Sequence, residues 1–427
     1  MNGKIVNAEK PVFFYGWYLV AASWVMLFLT NAVAVSIFFK PILEEFGWDR
    51  ATLSLVHTAA LLVFAAASPF LGRLIDRFGP RMMLFVCIAT QTLSSVVNGL
   101  AAGIWHLFLG RLLLEIKGMH AAQVMINRWF VKKRGRAQGI VATGMPVGAL
   151  VLSPISQYLV LAWGWRMALF FWAGVTFVTL LPLTITMRDK PQDSGYRPDG
   201  EPQPGFPEDV LPSGSNAAVM PDEQREGASL REVTRTGYFW LLSATQLICG
   251  IGCGFMNTHI VIFATDMGYT AMIGATFLSV QGGANLVGVL LTGYLSDRFS
   301  RSKVLASTHF IRSISFIAMI ISVLYTGGAL WSFYLAMALF GFGFFTTAPL
   351  SSGLVADLFG YRRMGLLLGV ILSCHLVGTA LGAYAGGITY ELTGSYNRFF
   401  PVQGALELLA AVFAFAIKKR TGKLLPQ

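Results

Sequence analysis

Four ionisable residues lie within one otherwise apolar stretch: Arg111, Glu115, Lys117 and His120. Arg111 and Glu115 are four residues apart and would share one helix face, whereas Lys117 and His120, three apart, would share another. A lysine in apolar surroundings could be the counter-charge of a bound anion. A histidine titrates near neutral pH and could carry a proton, for which Glu115 is a second candidate. The alternative is an internal Arg111–Glu115 ion pair that only stabilises the helix.

Other apolar stretches carry single polar residues that could hydrogen-bond a solute. These candidates for a solute-binding site are Asn31, Asn257, His259, Gln281, Asn285 and His375. Polar groups are costly away from water, so each needs a partner or a function. Each could equally be a packed, hydrogen-bonded side chain, which is the commoner role of a lone histidine in a helix.

The composition places these residues inside a membrane. Of the 427 residues, 55% are hydrophobic and only 12% are charged, whereas a water-soluble domain carries about 25% charged residues. The formal net charge is +11, but the basic residues lie in loops without a nucleic-acid recognition motif, so we expect no nucleic-acid partner. The four cysteines lack metal-ligand spacing, and we predict neither a metal site nor a cofactor.

Apolar segments long enough to cross a bilayer recur along the whole chain. A transmembrane helix needs about 20 apolar residues and satisfies its own backbone hydrogen bonds in lipid. The predicted spans are 14–39, 51–71, 82–103, 105–127, 136–160, 167–187, 238–264, 271–294, 303–325, 331–356, 364–388 and 400–417. The predicted fold class is therefore an all-α membrane protein with twelve transmembrane helices.

A polar segment rich in proline, glycine and acidic residues separates the first six spans from the last six. We predict an N-terminal six-helix bundle over 1–187, a cytoplasmic linker over 188–236 and a C-terminal six-helix bundle over 237–427. This linker composition is typical of flexible chain. A short amphipathic helix is expected near its end, over 229–236.

The two predicted bundles repeat each other in sequence. GRLIDRFGPRMML begins at Gly72, and GYLSDRFSRSKVL begins at Gly293, 221 positions later. Duplicated halves around a hinge are typical of proteins that expose a central site to each side of a membrane in turn.

Basic residues mark one side of the membrane. The loops after spans 2, 4, 8 and 10 and the C-terminal tail are rich in Lys and Arg, whereas the turns after spans 3 and 9 have none. The positive-inside rule then places those loops, the linker and both termini in the cytoplasm.

The first apolar stretch is too long for a signal peptide and is predicted to remain as span 1. We expect an integral multi-pass protein of the plasma (cell inner) membrane.

The repeated loop carries a known motif. The pattern G-x-L-x-D-R-x-G-x-R is met by Gly72, Leu74, Asp76, Arg77, Gly79 and Arg81, and the second copy keeps Gly293, Asp297 and Arg298. With two copies of this motif, the chain resembles the major facilitator superfamily over nearly its whole length. The resemblance implies two pseudo-symmetric six-helix bundles and a motif aspartate that helps to lock one closed state. It also implies that His309, Arg312 and Glu407 belong to the scaffold.

Two further stretches resemble the monocarboxylate porters and the oxalate–formate exchangers. One is WFVKKR from Trp129, followed by Ala137, Gly139 and Gly144; the other is YGW from Tyr15 with FFKPILEEFGWDR from Phe38. In place of the Asp and Arg that this family often carries on helix 8, the chain has Asn285 and Val289. The helix 1 lysine of animal porters falls on Val33. Lys117 is our candidate to replace the missing cation.

The resemblance implies a secondary transporter of a small organic anion. We expect proton-coupled transport of a lactate- or pyruvate-like monocarboxylate by alternating access, with a monomeric functional unit in the lipid bilayer. Alternatives within the fold are a dicarboxylate or formate exchanger and an exporter of amphipathic compounds. An alternative of another class is a membrane sensor with a transporter fold. An enzyme is not expected, because the sequence has neither a Walker loop nor a nucleophile–base pair.

Overall fold

The computed structural model describes residues 14–116, 118–130, 133–191, 199, 230–359 and 364–417, and all regular structure in these ranges is helical. Lys117 lies outside the described residues, as do most of the predicted linker and the C-terminal tail. Within them there are sixteen helices, and fifteen of these form the twelve spans of an all-α membrane protein with two six-helix bundles.

The first bundle contains eight helices. Span 1 consists of α1 (Gly16–Leu29) and α2 (Val35–Phe46), span 2 of α3 (Arg50–Phe78) and span 3 of α4 (Pro80–Gly99). Span 4 consists of α5 (Ile104–Glu115) and α6 (Met119–Trp129). Spans 5 and 6 consist of α7 (Arg134–Ala142) and the long α8 (Gly144–Thr186), which turns at Gly164, where φ is +80°.

The second bundle follows the short α9 (Leu230–Arg235), which lies where the amphipathic helix is predicted. Spans 7, 8 and 9 are α10 (Gly237–Asp266), α11 (Ala271–Arg298) and α12 (Arg301–Tyr325). Span 10 consists of α13 (Leu330–Phe342) and α14 (Thr347–Phe359), and spans 11 and 12 are α15 (Met364–Thr393) and α16 (Phe399–Ala416).

Three spans that the sequence predicts as continuous are broken near their middle. Span 1 breaks between Leu29 and Val35, span 4 between Glu115 and Met119, and span 10 between Phe342 and Thr347. Span 1 also continues to Phe46, beyond its predicted end. Hydropathy averaged over a whole span does not report such breaks, because the residues on both sides of each break are mostly apolar. A broken helix frees backbone groups in mid-membrane, where membrane transporters commonly place their binding sites.

Glycines allow the helices of the second bundle to touch backbone to backbone. A Cβ atom added to Gly250 or Gly254 of α10 would collide with the backbone of α15, and one added to Gly378 or Gly382 of α15 would collide with α10. Small residues permit this close approach in membranes. The contact fixes α15, and with it the candidate residue His375, against α10.

Candidate functional site

The break in span 1 packs against the start of α8. The Asn31 side chain lies in the break, and its Nδ2 donates a hydrogen bond to the Met145 backbone oxygen over 2.9 Å. Gly144 and Gly148 face the backbone of α1, so α8 can approach the break closely. Asn31 is thus held at a contact between spans 1 and 5, half-buried.

The two bundles meet in mid-membrane where α8 packs on α11. A Cβ atom added to Gly282 would collide with the backbone of Pro146 and Leu150. The preceding residue, Gln281, is buried, and its Oε1 has no hydrogen-bond partner among the described residues. Asn285, one turn further on, donates through Nδ2 to the Gly341 oxygen over 3.1 Å. Gln281 is therefore the candidate on α11 that keeps an unused polar atom.

A cluster of polar side chains joins the bundles at one end of the molecule. The Arg50 guanidinium binds Asp266 through two hydrogen bonds of 2.5 and 2.8 Å, and Nη1 also donates to the Tyr396 hydroxyl over 2.8 Å. The Arg50 backbone N–H donates to Glu391 Oε1 over 3.0 Å. The guanidinium carbon lies 3.4 Å from the centre of the Tyr390 ring. These contacts connect the start of α3 with the ends of α10 and α15.

His259 lies directly beneath this cluster and is fully buried. Its Nδ1 is 3.1 Å from the Tyr396 hydroxyl, its Nε2 is 2.8 Å from the Ala383 oxygen, and Ser54 Oγ lies 3.4 Å from the same Nε2. Burial raises the pKa of the Tyr396 hydroxyl well above its ordinary value, so the phenol stays protonated. We define the gate cluster as Arg50, His259, Asp266, Glu391 and Tyr396.

The gate cluster closes the end of the molecule opposite the repeated motif loops. Helix α3 begins at Arg50 and ends at Phe78, one residue before the motif glycine Gly79. Its 29 residues separate the two ends by about 43 Å at the usual rise of an α-helix.

Each motif loop is stabilised by an aspartate of the same half of the chain. Gly79 has φ of +84°, and the Arg81 backbone N–H that follows donates to Asp189 Oδ1 over 2.9 Å. A carboxylate there suits the positive end of α4. In the second copy, Arg301 at the start of α12 donates to Asp357 of α14 over 2.5 Å.

The other motif residues lie in helix ends. Gly72, Asp76 and Arg77 belong to the last part of α3, and Gly293, Asp297 and Arg298 to the last part of α11. Arg77 and Arg298 are exposed, whereas the side chains of Asp76 and Asp297 lie outside the described structure. The locking role of these aspartates therefore stays a prediction.

Span 4 separates the four ionisable residues of the sequence analysis. Arg111 and Glu115 lie in α5, with Glu115 buried, and their charges attract each other. His120 lies in α6, but its side chain, like all of Lys117, is outside the described structure. The roles assigned to Lys117 and His120 stay predictions.

Arg111 also reaches a small cavity inside the first bundle, between spans 1, 2, 3, 4 and 6. His57 and Asn98 line this cavity with Arg111, and the remaining lining is apolar. Its volume is about 20 Å³, which is room for one or two water molecules and too little for a three-carbon acid.

The remaining candidates lie on α10 and α15. His375 is half-buried beside the Cys249 thiol, and its Nδ1 has no hydrogen-bond partner among the described residues. Asn257 is half-buried on α10, two residues before His259. Among the described side chains, the solute-binding candidates thus lie at the break in span 1, at the α8–α11 contact, in the gate cluster and along α10 and α15.

Buried charges also hold together the outer helices of the second bundle. Glu407 of α16 accepts hydrogen bonds from Arg312 Nε over 2.9 Å and pairs with His309 Nδ1 over 2.8 Å. Arg312 Nη2 donates to the Cys249 oxygen over 2.9 Å. All three ionisable side chains are fully buried.

The sequence analysis did not single out Arg50, Asp266, Glu391 and Tyr396. The sequence did contain a signal for them. Arg50, Asp266 and Glu391 are charged residues at the ends of spans, on the side of the membrane whose loops are poor in Lys and Arg. What the sequence could not indicate is that charges 216 residues apart, such as Arg50 and Asp266, would form a pair.

Comparisons with known proteins agree with this architecture. The family model of the Major Facilitator Superfamily matches residues 19–383 and 286–426. The MFS-type transporter YcxA of Bacillus subtilis is 25% identical, with 89% of this chain and 90% of that protein covered. Monocarboxylate transporter 13 of Bos taurus is 23% identical, with 94% of this chain and 89% of that protein covered. Monocarboxylate transporter 4 of Rattus norvegicus is 22% identical, with 96% of this chain and 86% of that protein covered.

A solved structure shares the fold. It is the crystal structure of a bacterial homolog to the human lysosomal transporter Spinster, in an inward-facing and unoccupied conformation. Its TM-score is 0.67 at 18% identity, with 94% of this chain and 96% of that chain covered. Together with the family model, which spans most of the sequence, this places the chain in a class of membrane transporters and not of enzymes. The chain belongs to the Major Facilitator Superfamily.

Proposed function

We propose that this protein carries a small monocarboxylate, of the size of lactate or pyruvate, across the membrane together with a proton. The observation that carries the proposal is the full-length similarity to proteins named monocarboxylate transporters, at 86–89% coverage of their length in the cases above. The solute crosses between the two bundles by alternating access. The gate cluster is the closed external gate of this cycle.

The orientation of the proposal follows from the basic loops. With the motif loops, both termini and the linker in the cytoplasm, the gate cluster faces outward, and the cell membrane is the site of action. The functional unit is one chain, with residues 1–187 and 237–427 as its two moving halves. Lys117 is the proposed counter-charge of the carboxylate, and His120 or Glu115 carries the proton.

Uptake of radiolabelled L-lactate into proteoliposomes tests this proposal. We expect an inward proton gradient to stimulate uptake, and Lys117→Ala to abolish the stimulation. The matched control is Lys40→Ala, because Lys40 forms only a surface pair with Glu44 at 3.7 Å. Stimulated uptake that survives in Lys117→Ala would remove Lys117 from the site but keep the function. No uptake by folded wild type would exclude lactate as the substrate.

Exchange of one anion for another is the second candidate function. It is favoured by Asn285, which stands where the resembled porters often have a titratable aspartate and which is engaged with the Gly341 oxygen. An exchanger needs no such proton carrier. Vesicles preloaded with formate or oxalate would then take up the labelled acid faster than empty ones, and a proton gradient would have no effect.

A further inference from the structure

We infer that His259 and Tyr396 are positioning residues of the external gate: they orient Arg50 toward Asp266, and protonation of His259 releases this pair and opens the gate. This inference rests on the alternating-access part of the proposed function and is independent of the cargo. It assigns to the gate a response to external acid that is separate from the proton carried with the solute.

The hydrogen bonds of the cluster determine the protonation state of His259. The Ala383 carbonyl oxygen can only accept, so the imidazole must carry its proton on Nε2, 2.8 Å away. Its Nδ1 is then an acceptor, and the Tyr396 hydroxyl donates a hydrogen bond to it over 3.1 Å. The closed gate therefore contains a neutral imidazole with one assigned tautomer.

The Tyr396 hydroxyl transmits this assignment to Arg50. Because its proton points to His259, its oxygen is free to accept from Arg50 Nη1 over 2.8 Å. The same Nη1 donates its second proton to Asp266 over 2.5 Å, and Nη2 completes the bidentate pair at 2.8 Å. The hydrogen bonds therefore run in one direction, from Arg50 to Tyr396, from Tyr396 to His259 and from His259 to the Ala383 oxygen, and every donor in this series has an acceptor.

A second proton on His259 reverses this chain. Protonated Nδ1 would be a donor facing the Tyr396 oxygen, which already accepts from Arg50. The Tyr396 hydroxyl proton would lose Nδ1 as its acceptor, and the Tyr396 oxygen would face two cations, the imidazolium of His259 and the guanidinium of Arg50. Burying an uncompensated charge in this way is costly. Separation of the bundles relieves the cost, because it gives the imidazolium water.

The charged groups around His259 do not compensate the added proton. Arg50 faces it from α3 and is itself a cation. The Asp266 carboxylate, on the same helix, is occupied by the Arg50 guanidinium, and Glu391 of α15 accepts the Arg50 backbone N–H. Tyr390 of α15 lies against the same guanidinium. From α2, the residue at His259 is the apolar Phe39 ring, with ring centres 5.1 Å apart.

Distances between spin labels on the two bundles test the inference. We would label Glu44→Cys on α2 and Tyr325→Cys at the end of α12, whose native side chains are 66% and 81% exposed. The half-buried Cys374 would be replaced by Ser; the other three cysteines are buried. We expect one distance population at about pH 7.5 and a second, longer one at about pH 5, on either side of the ordinary histidine range.

Two variants assign the response to the cluster. His259→Gln can still donate to Ala383 and accept from Tyr396 but cannot be protonated, so the longer population should be absent at both pH values. Tyr396→Phe removes the oxygen that orients Arg50 toward Asp266, so the longer population should already be present at about pH 7.5, which covers the case that His259→Gln fails to fold. His57→Gln, at a buried histidine outside the cluster, should respond like wild type.

The inference is overturned if wild type shows no longer population near pH 5, or if His259→Gln keeps the wild-type response. The second result would show that the group protonated near pH 5 is not His259 and would make Asp266 or Glu391 the candidate. The measurement requires no solute, so a failure of lactate uptake would leave its result unaffected, and a missing pH response would leave the transport assay unaffected.

Discussion

The ion pairs Arg312–Glu407 and Arg50–Asp266 both join a guanidinium to a carboxylate, but they differ in how deeply they are buried. Arg312 and Glu407 are fully buried, so breaking them would leave an unpaired charge without water. The Arg50 and Asp266 side chains keep 13% and 25% exposure at the end of the molecule. A partly hydrated pair can be broken at a much smaller cost. We therefore interpret the first pair as a fixed brace and the second as part of a moving gate.

Removing the charge of Glu407 should destabilise the second bundle strongly. Glu407→Gln would leave the Arg312 guanidinium buried without its carboxylate, a change that typically costs about 3–5 kcal/mol. We expect a clearly lower unfolding temperature of the detergent-purified protein. Glu44→Gln, on the exposed surface at 66% side-chain exposure, should change it little. Equal unfolding temperatures for the two variants would contradict the role as a brace.

At the scale of the helices, glycine positions determine how closely the spans approach. Gly282 of α11 meets the backbone of Pro146 and Leu150 across the two bundles, whereas its neighbour Gly283 has only the Leu150 side chain nearby, at 3.6 Å from an added Cβ. Backbone cannot move aside as a flexible side chain can. The two adjacent glycines therefore differ in what they tolerate.

Alanine substitutions at these two positions should differ in their effect on transport. Gly282→Ala would force α11 away from α8, at a cost of about 1–3 kcal/mol for overpacking, and we expect transport to fall about tenfold or more. Gly283→Ala should transport like wild type. Initial uptake rates, normalised to folded protein in the vesicles, measure both. A reversed order would show that the α8–α11 contact does not limit the cycle.

For the whole molecule, the duplicated halves place the gate cluster and both motif loops at opposite ends. The first loop is stabilised by Asp189, which directly follows the first bundle, and the second by Asp357 of the second bundle. The gate cluster, in contrast, joins the bundles to each other. This asymmetry of contacts is consistent with two rigid halves that rock about a central site.

The orientation of the molecule can be tested with cysteines at the two ends of one helix. Ser300 precedes α12 and Tyr325 ends it, and both are exposed. In a Cys374→Ser background, an impermeant thiol reagent applied to intact cells should label Tyr325→Cys but not Ser300→Cys. Inverted vesicles should give the opposite pattern. Labelling of Ser300→Cys from outside would invert the proposed topology.

The number of spans and the family could be predicted because they depend on local composition and on motifs of adjacent residues. Spans 1, 4 and 10 were predicted as continuous because their breaks are only a few residues long and are flanked by apolar residues on both sides. Asn31 could be picked as a polar residue at membrane depth, but its partner, the Met145 oxygen, could not, because a backbone oxygen has no signature in sequence.

The sequence by itself determined that this is a membrane protein of two related halves, since lipid requires long apolar helices and duplication leaves a repeated motif. Only the tertiary structure decided what the polar residues do. His259 was one candidate among several until folding placed Tyr396, 137 positions away, against its Nδ1. The physical reason is that burial and pairing define the role of a polar group in a membrane, and both depend on which helices become neighbours.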